Sequence, residues 1–439
     1  MENTKLGGRI WVSLIIFGLF GQIAWVVENM YLNVFLYKTV TYDPTATAVM
    51  VAASAAVATL TTLLMGVLSD KLAKRKPFIA IGYIIWGFVI MAFSLIKTET
   101  IAQIFPGANA VFLAAAFVVL LDCVMTFFGS TANDACFNAW VTDVTKPGNR
   151  GRAEGVLSAL PLVATMVVFG GLDGFTQKGQ WSIFFAVIGI LVTVGGFVGL
   201  FLLKDQPNLQ AAQQSFSKNV VHGFRPSVIK ENRVLYVIFC AMALSGIAQQ
   251  IFMPYLLIYL EYSLGITDYA LPLAALLLLA AAASVLGGRL VDCFGKRRFI
   301  FPAAGALILG LLAMFLHGQF LKENGVLTLI LLVLFGAVMM GGNMLLGLIL
   351  GASARNVMPE RSRGLFNGIR MIFMVLLPML IGPFVGSAII KNGTTFLDEF
   401  GQVQYIPHEG IFLGGAVAAL LLIVPLVWLR KKNRITNEK

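Results

Sequence analysis

Charge is what this sequence has least of. Charged residues fill 12% of its 439 positions, while 58% are hydrophobic. A soluble domain carries about twice that share of charge. So few charges cannot solvate the surface of a water-soluble core this apolar, and mean hydropathy stands at +0.86. A soluble enzyme and a disordered chain are therefore excluded. Cysteine is also scarce, with four residues: Cys123, Cys136 and Cys240 in apolar runs and Cys293 in a basic loop. None falls in a loop expected outside, so no structural disulfide is expected and a disulfide scaffold is excluded. The three histidines, His222, His317 and His408, are scattered without metal-ligand spacing. G-x-S-x-G, H-E-x-x-H and G-x-x-x-x-G-K-[ST] patterns are missing, which leaves hydrolase, metalloprotease and ATP-driven pump readings unsupported. The net charge of +11 comes in short clusters between apolar runs. That is a topology signal rather than the one-sided basic face of a nucleic-acid binder.

Long apolar runs are what the sequence has in place of these. Twelve segments reach or approach the roughly 20 residues needed to span a bilayer: about 11–36, 46–68, 78–96, 110–141, 154–176, 181–203, 234–260, 269–290, 299–320, 326–353, 365–390 and 411–429. In lipid the backbone must satisfy its own hydrogen bonds, so these segments are predicted to be helices. The first run is too long for the apolar region of a signal peptide and is expected to stay as a membrane helix.

Basic residues test the count. With the N-terminus inside, 26 of the 32 Lys and Arg fall in inside segments, and Lys38, Lys97, Lys178, Lys322 and Lys391 fall outside. Arg370 lies within a segment. One missed helix would invert every later loop, so both termini are expected to be cytoplasmic, in the plasma membrane. The polar stretch Lys204 to Arg233 divides the chain into a six-helix bundle (1–203), a cytoplasmic linker with a short surface helix (204–233) and a second bundle (234–439). The loop 391–410 is the longest expected outside.

The two halves echo each other. The loop after segment 2 reads Gly66-Val-Leu-Ser-Asp70-Lys-Leu-Ala73-Lys74-Arg75-Lys76. The loop after segment 8 reads Gly288-Arg-Leu-Val-Asp292-Cys-Phe-Gly295-Lys296-Arg297-Arg298, with matched positions offset by 222. Arg150-Gly151 and Gly155 return as Arg363-Gly364 and Gly368, and Ile23-Ala24 with Tyr31-Leu32 return as Ile247-Ala248 with Tyr255-Leu256. Such parallel repeats belong to transporters built from two six-helix bundles.

The pattern G-x-x-x-D-x-x-G-[KR]-[KR]-[KR] resembles the signature loop of the major facilitator superfamily. The second copy matches fully, while the first has Ala73 in place of the glycine. The resemblance covers the whole chain. It implies an all-α integral membrane fold of 12 transmembrane helices, in two six-helix bundles related by a pseudo-two-fold. It also implies gating roles for Gly66, Asp70, Lys74, Arg75, Gly288, Asp292, Gly295, Lys296 and Arg297, with each Asp latching near a helix N-terminus of the opposite half. Topology clusters alone are the alternative for these loops. Within the superfamily, Lys74-Arg-Lys-Pro-Phe-Ile79, Gly21-Gln-Ile-Ala-Trp-Val-Val-Glu28 and Thr131-Ala-Asn-Asp-Ala-Cys-Phe-Asn-Ala-Trp-Val-Thr-Asp143 resemble the sucrose–proton and glycoside–pentoside–hexuronide:cation symporters. The melibiose-type members carry paired carboxylates on helix 2. Segment 46–68 here contains none, which argues against their sodium site.

Four ionisable groups lie well inside the segments: Glu28, Asp122, Asp134 and Arg370. Such groups are costly in lipid and usually face a cavity or a partner. Asp122 stands about 18 Å into segment 4, near mid-depth. Asn133 returns to nearly the same helical face. Gln22, Trp25 and Asn29 share a face of segment 1, with Glu28 beside it. Segment 7 offers Gln249, Gln250 and Tyr255, and segment 10 offers Asn343. The resemblance implies that segments 1, 4, 7 and 10 line the central cavity. Amides and carboxylates there can bridge sugar hydroxyls, and an indole can stack on a pyranose. Structural alternatives stand beside each: Glu28 near the outer surface, Asp134 as a cap, the glutamines as interhelical hydrogen-bonding groups, Trp25 as an interfacial anchor. Arg370 is read as balancing a motif carboxylate. The glycine pairs 195/199, 347/351 and 382/386 are read as helix contacts.

The expectation is a secondary active transporter that moves a sugar or glycoside by alternating access. Asp122, Glu28 or Asp134 would couple it to a cation, H+ rather than Na+. No cofactor, enzymatic activity or nucleic-acid partner is expected, and the working form is a monomer in the lipid bilayer. The alternatives are a proton-coupled exporter of drugs or lipids and a non-transporting membrane sensor or scaffold.

Overall fold

The computed structural model describes residues 6–205, 223–321, 325–359, 363–393, 395–397 and 403–431. Among them, 12 helices are long and apolar enough to cross a membrane. They are α1 (Gly8–Thr39), α2 (Pro44–Leu72), α3 (Lys76–Leu95), α4 (Ala110–Val144), α5 (Asn149–Gly171), α6 (Trp181–Leu202), α7 (Arg233–Ser263), α8 (Ala270–Val291), α9 (Lys296–Phe320), α10 (Val326–Val357), α11 (Leu365–Lys391) and α12 (Gly410–Lys431). Every expected segment is a helix, and most run beyond the apolar window into polar flanks. Local chemistry sets several ends. Pro77 sits in the first turn of α3, where its missing N–H is no loss. Asn109 caps α4, its Oδ1 accepting from the Phe112 N–H at 3.0 Å.

Four of these helices contain π turns among the described residues. Wider π turns occupy Val27–Tyr31 in α1, Ser130–Phe137 in α4, Tyr259–Ser263 in α7 and Ile372–Leu376 in α11. In α7 a 3-10 turn at Met253–Tyr255 surrounds Pro254, which has no N–H to continue the ladder. Single π turns inside α-helices gather at functional sites.

Contacts divide the chain into two compact units. One holds Met1–Thr41 with Ala53–Gln214, the other Tyr42–Ala52 with Ser215–Lys439. The first turns of α2 thus pack with the second unit. Inside the first unit α1 packs on α5 and α6, and α3 packs on α4 and α6. The second unit repeats each pairing six helices later: α7 on α11 and α12, α9 on α10 and α12. The sequence echo is therefore also a packing echo.

Small residues make the closest of these contacts. A Cβ on Gly199 would lie 2.8 Å from Phe17, and one on Gly386 would collide with the Ile251 carbonyl. Gly195 and Gly382 are equally hemmed in, by Phe20 and Gln250. The pair Gly347 and Gly351 departs from expectation. No neighbour crowds either residue, so that spacing marks no helix contact.

The fold is otherwise all-helical, with one addition that the sequence reading did not anticipate. After α11 the chain forms a small hairpin, β1 (Thr395–Leu397) against β2 (Val403–Tyr405), antiparallel with Phe396 opposite Gln404. Ahead of α7, Pro226–Glu231 is a short helix, and residues 206–222 of the expected linker lie outside the described residues.

Candidate functional site

Within the first unit, α1, α3 and α4 bring an aromatic and amide cluster together. The Trp25 indole Nε1 donates to Asn133 Oδ1 at 3.3 Å. Asn133 Nδ2 donates to the Tyr83 hydroxyl at 2.7 Å, and that hydroxyl donates to the Phe17 carbonyl at 2.6 Å. The Trp86 ring lies 5.1 Å from Trp25 and 5.5 Å from Tyr83. Its indole Nε1 is buried without a partner. Gly21 makes room for the cluster, since a Cβ there would collide with Asn133. Gln22 and Asn29 lie on the same helix. Asn29 is exposed, and its Nδ2 donates to the Trp25 carbonyl at 2.8 Å; Gln22 is half-buried.

The carboxylates lie close by. Glu28 sits in the π turn of α1 and is only 8% exposed. Its Oε1 accepts from the Thr126 hydroxyl at 2.9 Å and from the Ser54 hydroxyl at 3.4 Å. Asp122 is 1% exposed and also faces the Ser54 hydroxyl. Glu28 Oε2 and Asp122 Oδ1 are buried with no hydrogen-bond partner. Asp134 is held by its own helix, accepting from Ser130 Oγ at 3.0 Å. Among the described residues no Lys or Arg pairs with any of the three. Two adjacent carboxylates in an apolar interior cannot both stay ionised cheaply without a cation.

Asp122 faces Ser54 and lies within electrostatic reach of Glu28, while Asn133, within the π turn at Ser130–Phe137, meets Tyr83 and Trp25. Tyr83 and Trp86 on α3, Ser54 on α2 and Thr126 on α4 are the residues that sequence reading missed. Tyr83 and Trp86 share a helix face at i, i+3, a signal that was present. A lone Ser or Thr in an apolar run gives none.

In the second unit, Ser245 Oγ donates to Asn343 Oδ1 at 2.8 Å, and Asn343 Nδ2 donates to Gln249 Oε1 at 2.7 Å. Gln249, Gln250 and Asn343 are half-buried, with Gln250 packed against Gly382. Tyr255 does not join them. It is 1% exposed, and its hydroxyl reaches the backbone carbonyls of Pro383 at 2.8 Å and Pro44 at 3.1 Å. The break at Pro254 turns it toward α11 and the start of α2, so its contacts are those of a packing residue. Beside it, Lys391 Nζ stands 2.9 Å from Asp43 Oδ1, and Thr45 Oγ1 lies 3.2 Å from Ser387 Oγ. Burial pushes the Asp43 carboxyl up, but the Lys391 ammonium and the Thr45 donors outweigh it, leaving the group below its ordinary value.

The first motif loop is built around Arg75, which is 4% exposed. Its guanidinium pairs with Asp70 and, at 3.1 Å, with Asp143 Oδ2; it donates to Ser69 Oγ at 2.5 Å. Burial pulls the guanidinium down and the two carboxylates push it further up, so it is held above its ordinary value. Asp205 Oδ1 accepts from the backbone N–H groups of Arg75 and Lys76 at 2.7 and 2.8 Å. Lys74 is exposed, and Gly66 has open space around it. Ala73 adopts φ 49°, and the matching Gly295 adopts φ 88°. The turn thus keeps its left-handed backbone even where glycine has been lost. In the second loop Gly288 lies near Leu348, Lys296 and Arg297 have partners, and the Asp292 side chain lies outside the described residues. Arg370 departs from expectation: its Nε is buried without a partner, and among the described residues no carboxylate pairs with it. No group of three or more His, Cys, Asp and Glu among the described residues is placed to hold a metal ion.

The sequence matches the family model described as the Major Facilitator Superfamily over residues 10–354. A search of curated proteins finds no match. Among solved structures, the nucleoside transporter NupG is similar with a TM-score of 0.70 at 14% identity, covering 95% of this chain and 98% of that one. A bacterial homologue of the human lysosomal transporter Spinster gives 0.66 at 15%, covering 98% of each chain. A D-xylose–proton symporter gives 0.67 at 14%, covering 94% of this chain and 96% of that one. At such identities the likeness is one of fold. With 12 apolar helices, a six-helix packing repeat and a family match over most of its length, the chain belongs to the Major Facilitator Superfamily of membrane transporters.

Proposed function

We propose that this protein is a proton-coupled symporter of a sugar or glycoside, working by alternating access. The observation that carries the reading is the pair Glu28 and Asp122, buried with no Lys or Arg paired to them among the described residues and next to the Trp25–Asn133–Tyr83 cluster. Carboxylates so placed are favoured when protonated and must release the proton to water when their surroundings open. Asp134, more exposed and bonded only to Ser130, stands on the same helix as a further carrier. The indole and amide groups supply a stacking face and hydrogen-bonding groups suited to a hydroxylated ring. Gln249, Gln250 and Asn343 are the corresponding polar groups of the second unit. H+ is favoured over Na+, because segment 46–68 lacks the paired carboxylates of the melibiose-type sodium site.

In this reading the N- and C-termini are cytoplasmic, supported by the 26 basic residues that then fall in the inside segments. The protein works in the plasma membrane as a monomer, and Arg75 with its carboxylates is the gating loop. The D-xylose–proton symporter among its structural relatives is consistent with this substrate class.

The test is uptake by the purified protein in liposomes, with labelled mono- and disaccharides, glucuronides and nucleosides. Each compound meets an imposed H+ gradient, a Na+ gradient or neither. Accumulation of one sugar under the H+ gradient alone is expected. No uptake of any sugar, with a working control, overturns the substrate class, and efflux of an amphiphile would replace it with the exporter reading. Accumulation driven by Na+ alone overturns the ion.

A further inference from the structure

We propose that Glu28 and Asp122 hold one exchangeable proton between them, and that Ser54 of α2 and Thr126 of α4 are the positioning residues that decide which oxygens carry it; this deepens, and rests on, the proton-coupled reading above. The four side chains come from three helices, and all are at least nine-tenths buried: Glu28 is 8% exposed, Ser54 3%, Asp122 1% and Thr126 0%.

The hydrogen bonds assign the oxygens. Both hydroxyls donate to the same atom, Glu28 Oε1. With the carboxylate ionised, these two donors make Oε1 the better satisfied of the two Glu28 oxygens. The proton therefore has two places to go, Glu28 Oε2 and Asp122 Oδ1, and these are the two oxygens that the structure leaves buried and unpartnered. An unsatisfied buried acceptor is costly; an O–H formed on one of these oxygens removes one negative charge and supplies a donor. Ser54 faces both carboxylates, so its single hydroxyl proton weights one against the other.

The charged surroundings are one-sided. Asp122 and Asp134 of α4 lie within electrostatic reach of Glu28, and Cys123 within reach of both Glu28 and Asp122. From α2 come only hydroxyls. Among the described residues no basic group pairs with either carboxylate. Like charges this close titrate as a pair and not as two separate sites. Loading forms one O–H bond at Glu28 Oε2 or Asp122 Oδ1 with a proton taken from water. Release breaks that bond and returns the proton to water. Asp134, held by Ser130 on its own helix, stands outside the pair.

The test needs no substrate. The full chain, in lipid nanodiscs, is titrated while the infrared carbonyl stretch of protonated carboxylic acid is followed. Among the titrating bands of the wild type, one that depends on both Glu28 and Asp122 is expected. It is lost or displaced in Glu28→Gln and in Asp122→Asn, and retained in Asp134→Asn. Ser54→Ala removes a donor to the charged form and moves the midpoint upward by about one pH unit, the scale of one lost hydrogen bond to a charged group. Ser54→Thr keeps the hydroxyl and restores the wild-type midpoint. Thr126→Ala gives a second reading should Ser54→Ala fail to fold. An unchanged midpoint in both alanine variants, or an intact band in the Glu28→Gln/Asp122→Asn double variant, overturns the proposal. Failure to find a transported sugar would leave the titration standing and would count against the functional reading alone.

Discussion

Asn133 and Tyr83 are joined by a 2.7 Å hydrogen bond between α4 and α3, with Trp25 of α1 closing on the other side of the amide. In the sugar-binding reading proposed above, Nδ2 is engaged by Tyr83, and the carbonyl Oδ1 shared with Trp25 is the acceptor a substrate hydroxyl would meet. Tyr83→Phe frees that amide and removes the donor to the Phe17 carbonyl. We expect substrate affinity to fall about tenfold, and stability by about 1–2 kcal/mol for the buried partners left behind. Equilibrium binding of the sugar found by the liposome screen, together with thermal unfolding, checks both. An unchanged affinity would place the substrate elsewhere.

Ala73 carries the one positive φ found on a non-glycine residue among those described, 49°, in a turn whose twin uses Gly295 at 88°. An L-residue pays roughly 1–2 kcal/mol for that conformation, and glycine does not. Ala73→Gly is therefore expected to raise stability by about 1 kcal/mol after the entropy of the unfolded chain is counted. Gly295→Ala is expected to lower it by more than this, because its φ of 88° with ψ of 144° lies in a region open almost only to glycine. Thermal unfolding in one detergent or nanodisc decides the matter; a lower melting temperature for Ala73→Gly would show that the turn relaxes.

The helices were legible because lipid leaves so few alternatives. Runs such as 181–203, apolar throughout, have no other way to satisfy their backbone. The repeat was legible because Asp70 and Asp292 keep their spacing from a glycine and three basic residues. The inside of the site was only half legible. Glu28, Asp122, Trp25 and Asn133 stand out by their type in apolar surroundings. Which of them meet depends on how the helices pack, and the π turns at Val27–Tyr31 and Ser130–Phe137, which hold Glu28 and Asn133, carry no sequence mark. Tyr255 read as a cavity residue because it follows Gln249 and Gln250; the break at Pro254 sends its hydroxyl to Pro383 instead. Ser54 gave no sign, since serine is common in membrane helices and only its aim toward Glu28 distinguishes it.

Lys391 closes α11 against Asp43 at the start of α2, with its ammonium 5.5 Å from the Tyr405 ring. The Asp43 carboxyl is held below its ordinary value. Its contribution is thus fully present above about pH 4, the unfolded value, and is lost only as pH falls through the lower folded value. The two side chains are 45% and 37% exposed, so screening limits the pair to roughly 0–1 kcal/mol. Asp43→Asn should lower stability by no more than this, equally at pH 5 and pH 8. The difference should shrink in high salt. Unfolding measured at both pH values and two salt concentrations checks it, and a loss that grows between pH 5 and 8 would mean that another group titrates there.

In the proton-coupled reading proposed above, Asp122 is the carboxylate whose removal should separate coupling from binding. It is 1% exposed and its Oδ1 has no partner, while the substrate candidates Trp25, Asn133 and Tyr83 make their bonds without it. Asp122→Asn keeps the shape and takes away the charge. The neutral amide mimics the loaded state, so the variant can change conformation with substrate bound but cannot use a proton gradient. Gradient-driven accumulation should fall at least a hundredfold, while exchange of labelled for unlabelled sugar across the liposome should stay within about threefold of wild type, since a hundredfold loss corresponds to about 2.7 kcal/mol and the exchange step keeps its contacts. Loss of exchange and accumulation together would make Asp122 part of the binding or folding machinery. Full accumulation would move the coupling role to Glu28 or Asp134, and the same pair of assays on Glu28→Gln and Asp134→Asn would then assign it.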